Sequence, residues 1–280
     1  MITDQQLEAF ERDGAVTIDS PFTESQITAA SEAFDRLLAR PPYPSNVLKY
    51  RSSLSQITEP VLIELIQHPI MEEVAKRVLR ADEVKLFRPS IKQTYPAPNT
   101  SFQYRLHTDI RLSHRDLQAV PRRMPCYMLI WISDVTPQLA PLMIRPGSHR
   151  QIADAIEADP VYLPQTNHTG PVRIEDYENI EDTRSAPTEV AWLEDDFPDL
   201  DYRKPVPILA RAGQVTIWNP ANIHGASTNI SNTSRKVMFV NFLPRGVKIG
   251  YTKDVTGKQQ KFMNESSGLL RPERRHLARV

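Results

Sequence analysis

Two apolar rhythms run along this chain and divide it. Over roughly the first 80 residues, apolar positions recur three or four apart, the spacing of one helix face. Leu7 and Phe10 share such a face. Thr3 and Gln6 before them have the spacing of a capping box, and Gly14 supplies a stop. Ala15 to Ile18 reads as a short strand. Thr23 with Gln26 repeats the capping box, and Ile27, Ala30, Phe34 and Leu37 line the helix that follows until Pro41-Pro42 ends it. Pro42 to Leu54 reads as loop. Pro60 to Gln67 and Pro69 to Arg80 read as one helical region broken near His68-Pro69.

After Ala81 the period shortens to that of strands. Glu83 to Arg88, Ile91 to Tyr95 and Phe102 to His107 are predicted strands. Cys126 to Ile132 is almost continuously apolar, the pattern of a strand buried on both faces. Leu142 to Arg145 is short and runs into a turn at Pro146-Gly147-Ser148. Val206 to Leu209, Gln214 to Trp218 and Arg235 to Leu243 complete the set. Short strands separated by turn signals predict a mainly β fold with flanking helices, a double-sheet barrel or jelly roll. One domain over residues 1–280 is expected. Its parts are a mainly helical 1–80, barrel strands in 81–150 and 206–245, an insertion at 151–205 and a polar tail at 246–280. Between Asp176 and Asp201 the insertion carries ten acidic residues, with Trp192 and Phe197 among them. A solvated surface loop and a lid over a site both suit that composition.

Charge narrows the partners. With 34 acidic and 34 basic residues the net charge is zero, so nothing calls for nucleic acid or an anionic membrane surface. No apolar run approaches the ~20 residues of a membrane helix. Asp4, Glu8, Glu11 and Asp13 make the N-terminus unlike a secretory leader, and a cytoplasmic location is expected. Cys126 is the one cysteine, which excludes an intrachain disulfide. The 24 prolines against 9 glycines fit many turns better than a helical bundle.

The chemistry gathers at His107-Thr108-Asp109. In an extended segment a His and an Asp two apart point to the same side. A second histidine follows far downstream in Ile223-His224-Gly225-Ala226-Ser227, with Arg235 eleven positions beyond it. Two imidazoles and a carboxylate are the donor set of the facial triad that holds iron(II) and leaves coordination positions open. A lone His-x-Asp is common as a surface pair; its place at the end of a predicted strand, before a buried strand and a Pro-Gly turn, gives it weight.

Three motifs, in this order, resemble the phytanoyl-CoA dioxygenase family. They are His107-Thr108-Asp109, the run Ala140 to His149 with Pro146-Gly147-Ser148-His149, and His224-Gly225-Ala226-Ser227-Thr228-Asn229 leading to Arg235. The opening Asp13-Gly14-Ala15-Val16-Thr17-Ile18 is similar as well, so the resemblance spans roughly residues 5 to 245. It implies a double-stranded β-helix, iron(II) on His107, Asp109 and His224, and 2-oxoglutarate and O₂ as cosubstrates. It further implies that Arg235 grips the far carboxylate of 2-oxoglutarate, a task suited to a planar, permanently charged guanidinium. Gln93, on the strand before the metal motif, is a further candidate for 2-oxoglutarate. The implied reaction is hydroxylation of an unactivated C–H bond of a small molecule, with release of succinate and CO₂.

The residues alone leave two rivals, a barrel that binds metal or ligand without turnover and a hydrolase or isomerase on the same three ligands. The intact triad with its arginine speaks against the first, and the second has no use for Arg235 as a carboxylate anchor. Asp109 is intact, whereas related halogenases replace this carboxylate to admit chloride. Two positions depart from the family: Leu139-Ala140 stands where Asn-Gly is common, and Leu106 where Trp is common. His149 reads as a turn-closing residue, and His68, His114, His168 and His276 as surface or loop residues. Trp131 and Trp218 read as core or pocket wall. Arg105, Arg111, Arg115, Lys49 and Arg51 suggest an anionic substrate or a solvated surface.

Overall fold

The structure is a computed structural model that describes residues 2–39, 50–54, 57, 59–104, 106–158, 200, 203–247 and 267–278. Both predicted capping boxes form. Thr3 opens α1 (Asp4–Asp13), which stops at Gly14 with φ 80°, and Thr23 opens α2 (Glu24–Leu37). Between them lies β1 (Ala15–Ile18). The helical region near His68 is two helices, α3 (Pro60–Ile66) and α4 (Pro69–Leu79), each entered through a proline that has no backbone N–H to leave unpaired. The His68 side chain caps α4 by accepting from the Ile70 N–H.

Among the described residues nine strands build two sheets. The larger has the order β1-β7-β4-β9-β3-β2 and the smaller β6-β5-β8, with antiparallel pairing throughout. In chain order the remaining strands are β2 (Tyr50–Leu54), β3 (Val84–Thr94), β4 (Tyr127–Trp131), β5 (Leu142–Ile144), β6 (Val206–Ile208), β7 (Val215–Trp218), β8 (His224–Gly225) and β9 (Arg235–Pro244). Every residue of β4 is buried, as its apolar run requires. Helices α2 and α4 cover the outer face of the large sheet. Lys236 on β9 reaches outward to Asp35 (2.7 Å) and to the Ser31 hydroxyl (2.9 Å) on α2. Phe10, Phe34, Leu62, Leu79 and Phe242, all essentially inaccessible, fill the layer between helices and sheet.

The structure departs from the sequence reading at several elements. The end of the expected Pro42–Leu54 loop is β2, an edge strand paired with β3. Glu83–Arg88 and Ile91–Tyr95 form one strand, because pairing with β9 carries across a bulge between Phe87 and Ser90. Phe102–His107 is not a continuous strand; only Tyr104 and His107 make bridges, to Ser227 and His224. Two helices were not expected. The first, α5 (His114–Gln118), opens on a Ser113/Asp116 capping box. The second, α6 (Ser148–Ala158), begins inside the Pro-Gly-Ser turn and takes up the first residues of the expected insertion. Residues 159–199, with His168, Trp192 and Phe197, lie outside the described residues. In the expected tail, Pro272–Ala278 is a 3₁₀ helix docked on α4. His276 lies at the surface as expected, with its Nε2 3.1 Å from Glu72.

A second, smaller apolar cluster sits behind β5 and β8. Leu106, Met143, Ile152, Ile156 and Ile223 pack together, so α6 presses the small sheet onto the segment that carries the His-x-Asp motif.

Candidate metal centre

His107 and His224 face each other across a direct backbone pair. The His107 N–H donates to the His224 carbonyl (2.8 Å) and the His224 N–H donates back (2.9 Å). Residues opposed in this way project to the same side, and the two imidazole rings sit 4.5 Å apart. Asp109, two positions on, is held by its N–H on the Pro220 carbonyl (3.0 Å). Its carboxylate lies 3.4 Å from His107 Nε2 and 3.7 Å from His224 Nε2. One donor atom from each of the three lies within 4.8 Å of the others. Three donors at right angles around one ion are about 3 Å apart, so the set fits an ion with small adjustments.

His224 is also primed chemically. Its Nδ1 is 2.7 Å from the Asn222 carbonyl, which can only accept, so Nδ1 carries the proton and Nε2 presents a lone pair to the centre. Burial pushes its pKa down to about 4 against the opposing pull of Asp109, which keeps the ring neutral at ordinary pH.

Arg235 lies on the inner face of β9, buried to 4% exposure. One terminal nitrogen donates to the Ala140 carbonyl (2.6 Å) and the other to the Thr94 hydroxyl (3.0 Å), and the group stacks 5.7 Å from the Trp131 ring. Burial lowers its pKa to about 10, so it stays charged at neutral pH. All these partners are neutral. Among the described residues no carboxylate pairs with it, and its Nε has no partner. A buried cation without a counter-ion is costly unless an anion completes the site.

Gln93 does not share this face. It stands opposite Lys236, whose side chain points out to α2, whereas Thr94 stands opposite Arg235 and touches it. Alternation therefore sends Gln93 to the helix side and places Lys92, two before Thr94, on the face of Arg235. Lys92 is the residue the sequence reading passed over. Burial, and secondarily the charge of Arg235, lower its pKa to about 7. The available signal was Pro89: a proline inside a strand marks a bulge, and one extra residue exchanges the faces of everything after it.

Ala140 stands where the family often has glycine, and the backbone there suits glycine. Its φ is 46°, in the left-handed region where a glycine is at ease, and its carbonyl is the one that receives Arg235. Trp218 belongs to the wall of the centre, 5.9 Å from the His224 ring and edge-on to Tyr127 and Phe239. Trp131 is core, with its indole N–H on Thr216. Of the basic residues first noted, Arg111 is buried and Arg115 exposed. Arg105 and Lys49, and the side chain of Arg51, lie outside the described residues. His149 is no ligand; it sits behind the centre against Gly14.

A family model described as phytanoyl-CoA dioxygenase matches residues 10–237. The chain belongs to the phytanoyl-CoA dioxygenase family. An ectoine dioxygenase of Sphingopyxis alaskensis is 25% identical over 168 residues, 57% of this chain and 54% of that protein, so this match spans about half of the relative. An ectoine dioxygenase of Bordetella parapertussis is 21% identical over 246 residues, 84% of this chain and 73% of the relative. Among solved structures, the α-ketoglutarate-dependent carbocyclase SnoK from nogalamycin biosynthesis is similar at a TM-score of 0.63 and 18% identity, covering 91% of this chain and 90% of that one. EctD from S. alaskensis with 2-oxoglutarate and 5-hydroxyectoine is similar at 0.60 and 19%, covering 89% and 79%. The fold is the double-stranded β-helix of these neighbours. Family membership places the chain among dioxygenases, an oxidoreductase class, and the solved neighbours include α-ketoglutarate-dependent and iron-bound enzymes.

Proposed function

We propose that this protein hydroxylates an unactivated C–H bond of a small molecule, with iron(II) on His107, Asp109 and His224 and 2-oxoglutarate anchored by Arg235. What carries the reading is the conjunction of an open His-Asp-His set with a buried arginine whose present partners are all neutral. A passive binding barrel explains the first but gives no reason for the second. The same holds for a hydrolase built on the three ligands.

Each side chain has a definite share. Thr94, Ala140 and Trp131 hold the Arg235 guanidinium flat so that its free edge can meet the distal carboxylate of 2-oxoglutarate. Lys92, on the same face, adds a second positive charge beside that carboxylate. Trp218, Tyr127 and Phe239 form an aromatic wall at His224 that keeps bulk water from the reacting atoms. When bound, iron(II) supplies the redox chemistry by which one O₂ is divided between succinate and the new hydroxyl, with loss of CO₂.

The relatives' names point to small polar metabolites and the neighbours' titles to natural-product tailoring. At 25% identity and below, neither fixes a substrate. Ectoine therefore belongs in a test panel beside anionic metabolites.

The test is spectroscopic. Iron(II) and 2-oxoglutarate, added anaerobically, should give a weak visible metal-to-ligand charge-transfer band that His224→Ala loses. Arg235→Ala should keep iron binding and need at least tenfold more 2-oxoglutarate for the same band. A folded, iron-loaded wild type without the band would end the cosubstrate assignment.

A further inference from the structure

The carbonyl that orients His224 belongs to Asn222, and the side chain of Asn222 is itself clamped from two distant parts of the chain. Its Oδ1 accepts from the Ser148 hydroxyl (2.6 Å) and from the His149 backbone N–H (3.3 Å), both at the start of α6. Its Nδ2 donates to the Asp13 carbonyl (3.2 Å) at the end of α1. The Ser148 hydroxyl also accepts from the Ile223 N–H (2.8 Å), and its single proton is shared between Asn222 and the Arg145 carbonyl (2.8 Å). Both peptide groups that flank Ile223 are therefore fixed, since the Ile223 carbonyl accepts from the Arg145 N–H (2.8 Å).

The space around the clamp is closed. Asn222 and Ser148 are completely buried. A Cβ on Gly14 would lie 2.7 Å from Asn222 Cγ and 2.7 Å from His149 Nδ1, and Gly14 holds φ 80°. Glycine is thus demanded twice at that position, by conformation and by room. The Asn219 N–H on the Gly14 carbonyl (2.8 Å) and the Gly147 N–H on the Asp13 carbonyl (2.9 Å) tie the same three segments together. Asp13-Gly14 and Pro146-Gly147-Ser148-His149 were separate features of the sequence; here they join Asn222 in one assembly.

We propose that Asn222 and Ser148 are positioning residues for the metal centre: through the Asn222 carbonyl they set the tautomer and the tilt of His224, so that Nε2 faces the ion. This rests on the metal-centre reading. Ligating histidines depend on the partner of their other ring nitrogen, and losing that partner costs on the order of 10- to 100-fold in metal affinity. The alternative is that the clamp merely stabilises the fold.

Two readouts separate these roles. The first needs no metal: ¹⁵N-histidine spectra of the apoprotein should show His224 as a single Nδ1–H tautomer in wild type and in Ser148→Thr, and as a mixture in Ser148→Ala and Asn222→Ala. The second is a cobalt(II) titration under conditions where each variant is folded by circular dichroism. Affinity should fall on the order of 10- to 100-fold in Ser148→Ala and Asn222→Ala and return in Ser148→Thr. If Asn222→Ala does not fold, Ser148→Ala carries the test. Folded variants that keep one tautomer and wild-type cobalt affinity overturn the proposal. A wild type that shows the single tautomer but binds no cobalt overturns the metal-centre reading instead and leaves the clamp in place.

Discussion

At Ala140 a methyl group sits where the backbone would prefer none. A left-handed conformation costs an L-residue roughly 1–2 kcal/mol, partly offset because glycine loses more entropy on folding, about 0.5–1 kcal/mol. Ala140→Gly should therefore be neutral to stabilising by up to about 1 kcal/mol in urea unfolding, with 2-oxoglutarate affinity preserved because the carbonyl that holds Arg235 is unchanged. A clear loss of stability would show that the methyl packs usefully. Lys92 illustrates the reverse trade. Its pKa falls from 10.5 to about 7, so between those pH values the unfolded chain binds more protons than the folded one, and stability rises with pH through that window. Lys92→Met should remove that rise and stabilise the apoprotein at neutral pH by on the order of a few kcal/mol. It should also raise the KM for 2-oxoglutarate severalfold with kcat little changed. The charge of Arg235 is one that acts on Lys92. An unchanged KM would remove Lys92 from the pocket. These two residues also mark how far single positions could be read. His107, Asp109, His224 and Arg235 stood out as candidates because donor type and spacing carry the chemistry, and the fold brings the first three together. Gln93 was expected to reach 2-oxoglutarate, but the face of a strand residue is a parity, and the bulge between Phe87 and Ser90 puts Gln93 opposite Lys236 and away from Arg235.

Among the elements, most of those with a local cap or a strand-like apolar run were read, and those held only by remote groups were not. The Thr3 and Thr23 capping boxes, Gly14 and the prolines at 60 and 69 act within one turn of chain, and α1 to α4 followed from them. The Ser113/Asp116 box has the same form and was passed over because α5 is too short to show a period. Strand β2 exists through its pairing with β3, which nothing in Tyr50–Leu54 announces. The 3₁₀ segment Pro272–Ala278 is likewise held by a remote group. Glu72 of α4 receives Lys76 (2.8 Å), Arg274 (2.7 Å) and His276 (3.1 Å) while 6% exposed. Burial alone would raise its pKa; the hydrogen bonds from Lys76 and His276 and the charge of Arg274 outweigh burial and lower it. A lowered carboxylate contributes stability above its unfolded pKa, near 4.3, and loses it as pH falls through the folded value. Glu72→Gln should cost up to about 3–5 kcal/mol at neutral pH, since Arg274 is left buried without its anion. It should also flatten the acid limb of the stability profile and speed hydrogen exchange in 272–278. Equal exchange in the variant would mean that the segment is held by Leu277 and its apolar contacts instead.

Across the whole molecule, the metal centre is where parts remote in sequence are brought to one point. His107 and Asp109 come from the segment after β3, His224 from β8, Arg235 from β9, and the support behind them from α1 and α6. The fold class was legible from many short strands and turns, whereas the order β1-β7-β4-β9-β3-β2 was not, because each neighbour in it is chosen by contacts far apart in sequence. That arrangement predicts strong linkage between ligands and stability. Among the described residues the buried Arg235 guanidinium has no carboxylate partner and three donors turn toward one another, and on the reading proposed above iron(II) with 2-oxoglutarate would relieve both at once. Each ligand at 100 times its dissociation constant adds about 2.7 kcal/mol, and a domain of this size gains about 2–4 °C in Tm per kcal/mol. Under argon, iron(II) should raise Tm by several degrees, and 2-oxoglutarate should raise it further only when the metal is present. A chelator should reverse both shifts. In Asp109→Ala the metal shift should shrink and the dependence of the second shift on the first should disappear. In Arg235→Ala the metal shift should survive and the 2-oxoglutarate shift be lost. Two additive shifts, each indifferent to the other ligand, would mean that 2-oxoglutarate binds away from the metal, and the shared site drawn here would have to be given up.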